Sequence, residues 1–222
     1  MNIIVLAYRE WAINVFDAIK GHTKIESIFL IRSTNEFNSF LKKNTQQIDL
    51  IFVIGWSEIL CDEIVDTYTC VGMHPSDLPQ YRGGSPIQNQ VMDGITLTKA
   101  SLFRLTSNLD DGGVYLKESL SLKGDSMQDI FLNIQTSSII LFNKFLDAFP
   151  SIVPVDQEYT DSPTYRRRKP SDSRITKEEL MTSDIRILYN KIRCLTDPYP
   201  NAYIEDADGK KLFISGVTLS DD

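Results

Sequence analysis

The chain has 222 residues, 42% hydrophobic and 24% charged, with a formal net charge of -7. That length buries a substantial core and suits one domain of ordinary size plus a small appendage, and the composition is globular. The negative balance speaks against a nucleic-acid backbone or an anionic membrane surface as the main partner, and no run of about 18 apolar residues is present to span a bilayer.

The opening MNIIVLAYREW is too short in its apolar run for a secretory leader and lacks the flanking charge, so it reads as a first strand. The three cysteines, Cys61, Cys70 and Cys194, are scattered and odd in number, which fits free thiols in a reducing cytoplasm. With two histidines and no Cys-x-x-Cys, no metal site is expected.

Residues 2–7 are solidly apolar, the pattern of a strand buried on both faces. Helical spacing follows over 10–20, with Trp11, Val15, Phe16 and Ile19 on one face and Gly21 as the stop. Residues 24–31 predict a second strand and 35–43 a helix. Residues 49–54 (DLIFVI) predict a third strand ending at Gly55-Trp56, 57–66 a helix, and 70–73 a fourth strand. His22, beside Gly21, reads as a helix C-cap residue. Alternating strands and helices at short spacing predict parallel βαβ units, a Rossmann-like α/β sheet, with ligands beyond the carboxyl ends of the strands. Gly55-Trp56 and His74 both follow a predicted strand and are candidates for one crevice.

A proline- and glycine-rich loop occupies 75–86, then a helix over 87–92 and strands near 100–105 and 114–122. Residues 126–148 predict a long amphipathic helix whose apolar faces carry Leu132, Ile134, Ile139, Ile140, Phe142 and Phe145. Residues 150–170 read as a linker wrapping the surface. The tail carries a helix over 184–195 and a hairpin of 202–205 and 211–215, flanking Asp208-Gly209 as a two-residue turn of the I′ kind. The division expected is a domain over 1–150, a linker over 151–175 and a small subdomain over 176–222. Neither a Gly-x-Gly-x-x-Gly after the first strand nor a P-loop is present.

Two stretches carry chemistry. CVGMHPSDLPQYRGGSPIQNQVMDG places His74 at a strand end beside a loop stiffened by its prolines. TSNLDDGGVY sets two adjacent aspartates before two glycines, either a polar turn or a carboxylate placed to orient an imidazole.

Taken together, HPSDLPQYRGGSPIQNQVMDG and LDDGG resemble the formyltransferases that use 10-formyltetrahydrofolate, among them the methionyl-tRNA, glycinamide ribonucleotide and sugar N-formyltransferases. DLIFVIGWSEIL resembles the strand and turn that line the folate pocket, and YRRRKPSDSRI and IRCLTDPYPNAYI resemble segments that follow the catalytic domain. The resemblance implies direct transfer: an amine attacks the formyl carbon, a tetrahedral oxyanion forms, and its collapse expels tetrahydrofolate. It assigns His74 as the family histidine and Asp110 as the family aspartate, with 10-formyltetrahydrofolate as cosubstrate. An imidazole can accept the amine proton, and a neighbouring carboxylate can orient it.

One position departs from the family. An asparagine is expected two residues before the histidine, and Gly72 stands there. Losing one oxyanion donor typically costs about 2.7–4 kcal/mol, so compensation by an inward backbone N–H, by an ordered water or by Asn89 is expected. The folate pocket is expected at Ile54, Gly55, Leu105 and Asn108. Trp56 either stacks on the pterin or lies in the core. Tyr81 and Arg82 are candidates for substrate contact, with a surface arginine tied to its loop as the alternative. Asn190 and Arg193 in the tail helix contact either a sugar or a partner, or pack the tail on the main domain. The basic run YRRRK at 165–169 either meets phosphates or is solvated.

LAYREWAINV lacks the glycine-rich phosphate turn of the glycinamide ribonucleotide branch, and the net charge of -7 disfavours tRNA. The acceptor expected is therefore the amine of a nucleotide-linked aminodeoxysugar. A UDP-linked 4-amino-4,6-dideoxy-N-acetyl sugar of a pseudaminic acid or O-antigen pathway is the specific expectation, with a homodimer through the hairpin as the expected assembly. The alternatives are a catalytically weakened folate-binding relative, a formyl-folate hydrolase and an enzyme like methionyl-tRNA formyltransferase.

Overall fold

The computed structural model describes residues 1–158 and 163–220. Residues 159–162 of the expected linker and 221–222 of the tail lie outside the described residues. Six strands form one sheet in the order β2-β1-β3-β4-β5-β6. β1 (Asn2–Leu6) lies between β2 (Ser27–Ile31) and β3 (Leu50–Val53), parallel to both, and β3 is parallel to β4 (Cys70–His74). β5 (Leu97–Arg104) runs antiparallel to β4, and β6 (Val114–Ser121) antiparallel to β5. The Rossmann-like, mostly parallel sheet follows from the alternation of elements in the first third of the chain. Its far edge reverses after α4 (Pro86–Met92), the one helix between β4 and β5.

The sheet is covered on both faces. Alternate residues of each strand point to opposite sides, so Ile3, Val5, Leu50, Phe52, Val71 and Met73 enter the larger core. Ile4, Leu6, Ile51 and Cys70 enter the smaller one. The larger core is closed by α1 (Glu10–Ile19) and α5 (Met127–Ala148), the smaller by α2 (Thr34–Lys43) and α3 (Asp62–Thr67). Ser126 caps α5 through a reciprocal box with Asp129. The buried stripe of α5 runs through Met127, Ile130, Ile134, Leu141, Phe142 and Phe145; Leu132 and Ile140, expected on it, face solvent because they fall off that 3.6-residue line.

Three local expectations are corrected. The helix expected over 57–66 starts only at Asp62, and Ile59 stands 82% exposed in the loop before it. His22 is not a cap: its Nδ1 accepts from Lys24 N–H, so Nε2 carries the proton and donates to Asp147 Oδ1 at 3.1 Å, pinning the end of α1 to α5. The hairpin of β7 (Ala202–Glu205) and β8 (Lys211–Ile214) turns through three residues rather than two, closed by Asp206 N–H on Lys210 O, with Gly209 at φ 80. Asp206 Oδ1 accepts from the amides of Asp208 and Lys210, which fixes the longer loop.

The tail joins the main core. Beyond a short 3-10 turn (Pro170–Ser173) come α6 (Lys177–Thr182) and α7 (Ile185–Arg193). Ile175, Leu188, Cys194, Leu195 and Ala202 pack into the same cluster as the sheet, and Thr196 Oγ1 accepts from Met127 N–H at 2.9 Å. None of the helices among the described residues is long and apolar enough to cross a membrane.

Candidate active site

His74 is the last residue of β4 and is 7% exposed. Its Nε2 lies 2.8 Å from Tyr81 O. A carbonyl only accepts, so Nε2 carries the ring proton and Nδ1 is the nitrogen left to accept. Nδ1 faces Asp110 Oδ2 at 3.5 Å. Asp110 reaches this place from the loop between β5 and β6 in a left-handed conformation, φ 52. Its Oδ2 accepts from Gly83 N–H at 2.8 Å. The neighbouring Asp111 turns away and accepts from Thr106 Oγ1 at 2.7 Å. Of the two adjacent aspartates, Asp110 is thus the one set against the imidazole.

The loop after His74 is braced. Ser101 Oγ donates to Ser76 O at 2.7 Å and accepts from Leu78 N–H at 3.2 Å, tying the loop to β5. Tyr81 takes φ 56, stacks on Tyr165 with ring centroids 5.3 Å apart, and donates its hydroxyl to Asp93 Oδ2 at 2.8 Å. Burial, then that bond to Asp93, pushes the Tyr81 phenol up to about 12. The expected linker lies across this loop through a single backbone bridge: Tyr165 N–H donates to Arg82 O and Gly84 N–H to Tyr165 O, both at 2.8 Å. A Cβ on Gly83 or Gly84 would collide with that segment, which is why glycine stands at both positions.

The other residues singled out from the sequence divide. Gly55 takes φ 60 beyond β3, and Ile54 beside it is fully buried, so only its backbone can face a ligand. Trp56 is half-buried, edge-on to Tyr8 at 5.7 Å, with its indole N–H shut from solvent and unpartnered. Leu105 leaves β5 with its N–H on Cys70 O, and its side chain folds over Gly72. Asn108 is exposed, its N–H on Thr106 Oγ1. Arg82 gives Nε and Nη2 to Gln157 Oε1. Arg193 is buried, donating from Nη1 to Leu122 O and Gly124 O and from Nε to Asn190 Oδ1, so this pair anchors the tail helix to the loop between β6 and α5. In the basic run, Arg166 pairs with Asp172 and Arg168 donates to Asp172 O.

At Gly72 the room that a side chain would need is filled. A Cβ there would lie 2.9 Å from Leu105 Cδ2 and 3.0 Å from Phe103 Cε1. Two apolar side chains thus border the position where the family places its asparagine. Asn89 uses its amide on Gly84 O at 3.2 Å, holding the first turn of α4.

A family model described as formyl transferase matches residues 12–137. The chain belongs to the formyl transferase family. A methionyl-tRNA formyltransferase from a Nitratiruptor species is 28% identical over 159 residues, 71% of this chain and 51% of that protein. The chain thus spans about half the length of that curated relative. Among solved structures, a methionyl-tRNA formyltransferase from Clostridium thermocellum matches with a TM-score of 0.79 and 30% identity over 96% of this chain and 97% of that one. A sugar N-formyltransferase from a Shewanella species shares the fold, with a TM-score of 0.76 and 14% identity over 99% of both chains.

Among the described residues no group of three or more His, Cys, Asp or Glu side chains could hold a metal ion. The pair that the resemblance assigned, His74 and Asp110, is brought together; Gln157, which bonds to the aspartate loop, carries no signal in the sequence.

Proposed function

We propose that the protein transfers a formyl group from 10-formyltetrahydrofolate to the amine of a nucleotide-linked aminodeoxysugar, in the cytoplasm. The observation that carries this reading is the placement of His74 Nδ1 3.5 Å from Asp110 Oδ2 beyond a central strand. When bound, the folate supplies a formyl group already activated at N10. The turn beyond β3, with Gly55 in the left-handed region and Trp56 next to it, is where the pterin is expected to sit at the carboxyl end of a central strand. As the amine gains the formyl carbon and that carbon's bond to N10 breaks, the amine must lose a proton and N10 must gain one, so that tetrahydrofolate leaves. His74 Nδ1 is the acceptor for the amine proton; Tyr81 O holds the ring in orientation, and Asp110 stabilises the charge the imidazole takes on.

The net charge of -7 supports a small acceptor over tRNA, and a UDP-linked 4-amino-4,6-dideoxy sugar is the specific expectation. The methionyl-tRNA formyltransferases among its relatives favour a second reading, with initiator methionyl-tRNA as acceptor. The test is to incubate the protein with 10-formyltetrahydrofolate and, separately, a panel of nucleotide aminosugars and charged tRNA, and to read products by mass spectrometry. One formyl mass gained on a single aminosugar supports the reading. Formylation of methionyl-tRNA alone moves the acceptor, and folate binding with no transfer makes the protein a silent relative.

A further inference from the structure

Gln157 lies in the stretch after α5, in a segment whose sequence reads as a passive connection. The segment is pinned to the sheet by Val155, which exchanges backbone hydrogen bonds with Val114 at 2.7 and 2.9 Å. That bridge delivers the Gln157 carboxamide between the two loops of the site. Its Nε2 donates to Asp110 O at 2.9 Å and to Gly112 O at 2.8 Å. Its Oε1 accepts from Arg82 Nε at 3.1 Å and Nη2 at 2.9 Å. Both donors and both lone pairs of the amide are in use.

The two ends of this bridge are the two halves of the catalytic pair. Arg82 lies between Tyr81, whose carbonyl holds His74 Nε2, and Gly83, whose amide holds Asp110 Oδ2. On the other side, the carbonyls of Asp110 and Gly112 bracket the left-handed turn that aims the carboxylate. A non-glycine residue persists in that conformation only where its surroundings over-determine it. Glutamate in place of Gln157 accepts from Arg82 but donates to neither carbonyl, and asparagine is one methylene short.

We propose that Gln157 is a positioning residue: its carboxamide ties the Asp110 turn to Arg82 and thereby sets the carboxylate against His74. The inference rests on the formyl-transfer reading for its kinetic consequence, but its structural core is measurable without a substrate. The experiment uses Gln157→Met, which keeps the length and removes all four hydrogen bonds. Gln157→Glu, which keeps the Arg82 bonds, stands in should the methionine variant fail to fold. The imidazole 15N resonances are recorded first. The chain has two histidines, so a His22→Asn spectrum assigns both. The expected result is a displaced His74 resonance with His22 unmoved; an unmoved His74 overturns the proposal. In transfer assays kcat should fall about tenfold or more with the folate KM within about twofold, the mark of lost alignment rather than lost binding. Asp110→Asn combined with Gln157→Met should be no slower than Asp110→Asn alone, because the two act through one group. Full additivity would leave Gln157 a merely structural role. If the unaltered protein transfers no formyl group to any acceptor, the functional reading falls while the resonance measurement still decides the role of Gln157.

Discussion

His74 Nδ1 and Asp110 Oδ2 stand 3.5 Å apart although one closes a strand and the other sits in the turn between the next two. Each is held from behind: the imidazole by Tyr81 O, the carboxylate by Gly83 N–H. Nearby residues of one rigid loop therefore grip both partners, and their separation is a property of that loop.

His74→Asn and Asp110→Asn should each lower formyl transfer by about a hundredfold or more, the usual weight of a general acid–base group. Asparagine accepts the left-handed conformation of Asp110, so the second variant keeps the turn and removes only the charge. Steady-state rates with a competent acceptor check this; full activity in either variant removes that residue from the proton path.

Asp77, in the loop after His74, pairs with Lys117 at 2.5 Å and with Lys99 at 3.1 Å. Partial burial pushes its carboxyl up, but the hydrogen bonds and charges of the two lysines outweigh that and leave it below the ordinary value. A depressed folded-state value contributes stability above the unfolded-state pKa, about 3.9, and loses it as pH falls through the folded one. Asp77→Asn should therefore cost about 0.5–1 kcal/mol at pH 7, a figure held down by solvent screening. Urea unfolding of both proteins should show the difference shrinking below about pH 4; a constant difference would mean the pair is not what anchors the loop.

The thiols should divide one against two. Burial pushes Cys70 and Cys194 up to about 12, while Cys61 is exposed ahead of α3. The thiolate is the reactive form, so at about pH 8 an aromatic disulfide reagent should titrate Cys61 alone in the folded protein, and all three cysteines in urea. A second fast thiol in the folded state would mean that β4 or the tail opens locally.

The parallel half of the fold was legible because β1 and β3 are buried on both faces and read as unbroken apolar runs. α6 was missed because it buries nothing and so has no apolar stripe; its one signal was Thr176 with Glu179, a capping box visible in the sequence. His74 was legible from its place after a strand, and the aspartate pair from its turn. Which aspartate faces the histidine was left to the resemblance, since Asp110 and Asp111 differ only in where a tertiary turn points them. Gln157 had no local signal: its partners are assembled by the Val114–Val155 bridge, a pairing that no periodicity encodes.

Gly72 and Leu105 form an exchange that can be run backwards. The family places asparagine at this position, and here Leu105 and Phe103 occupy the space beside the missing side chain. Gly72→Asn alone forces those side chains off their rotamers and should destabilise the protein by about 1–3 kcal/mol. Leu105→Ala alone removes a half-buried side chain and opens the room that an asparagine needs. The double variant should then be more stable than the sum of the singles predicts, by about 0.5–3 kcal/mol, as contacting residues that relieve one another do. Urea unfolding of the four proteins closes this cycle. In the same four proteins, transfer by the double variant should exceed that of Leu105→Ala, because the restored amide stands on the same side of β4 as His74, where one oxyanion donor is worth roughly 2.7–4 kcal/mol. Additive stabilities would show that Leu105 does not hold the place of the absent side chain, and a rate unchanged by the amide would mean that this chain balances the developing charge from another direction.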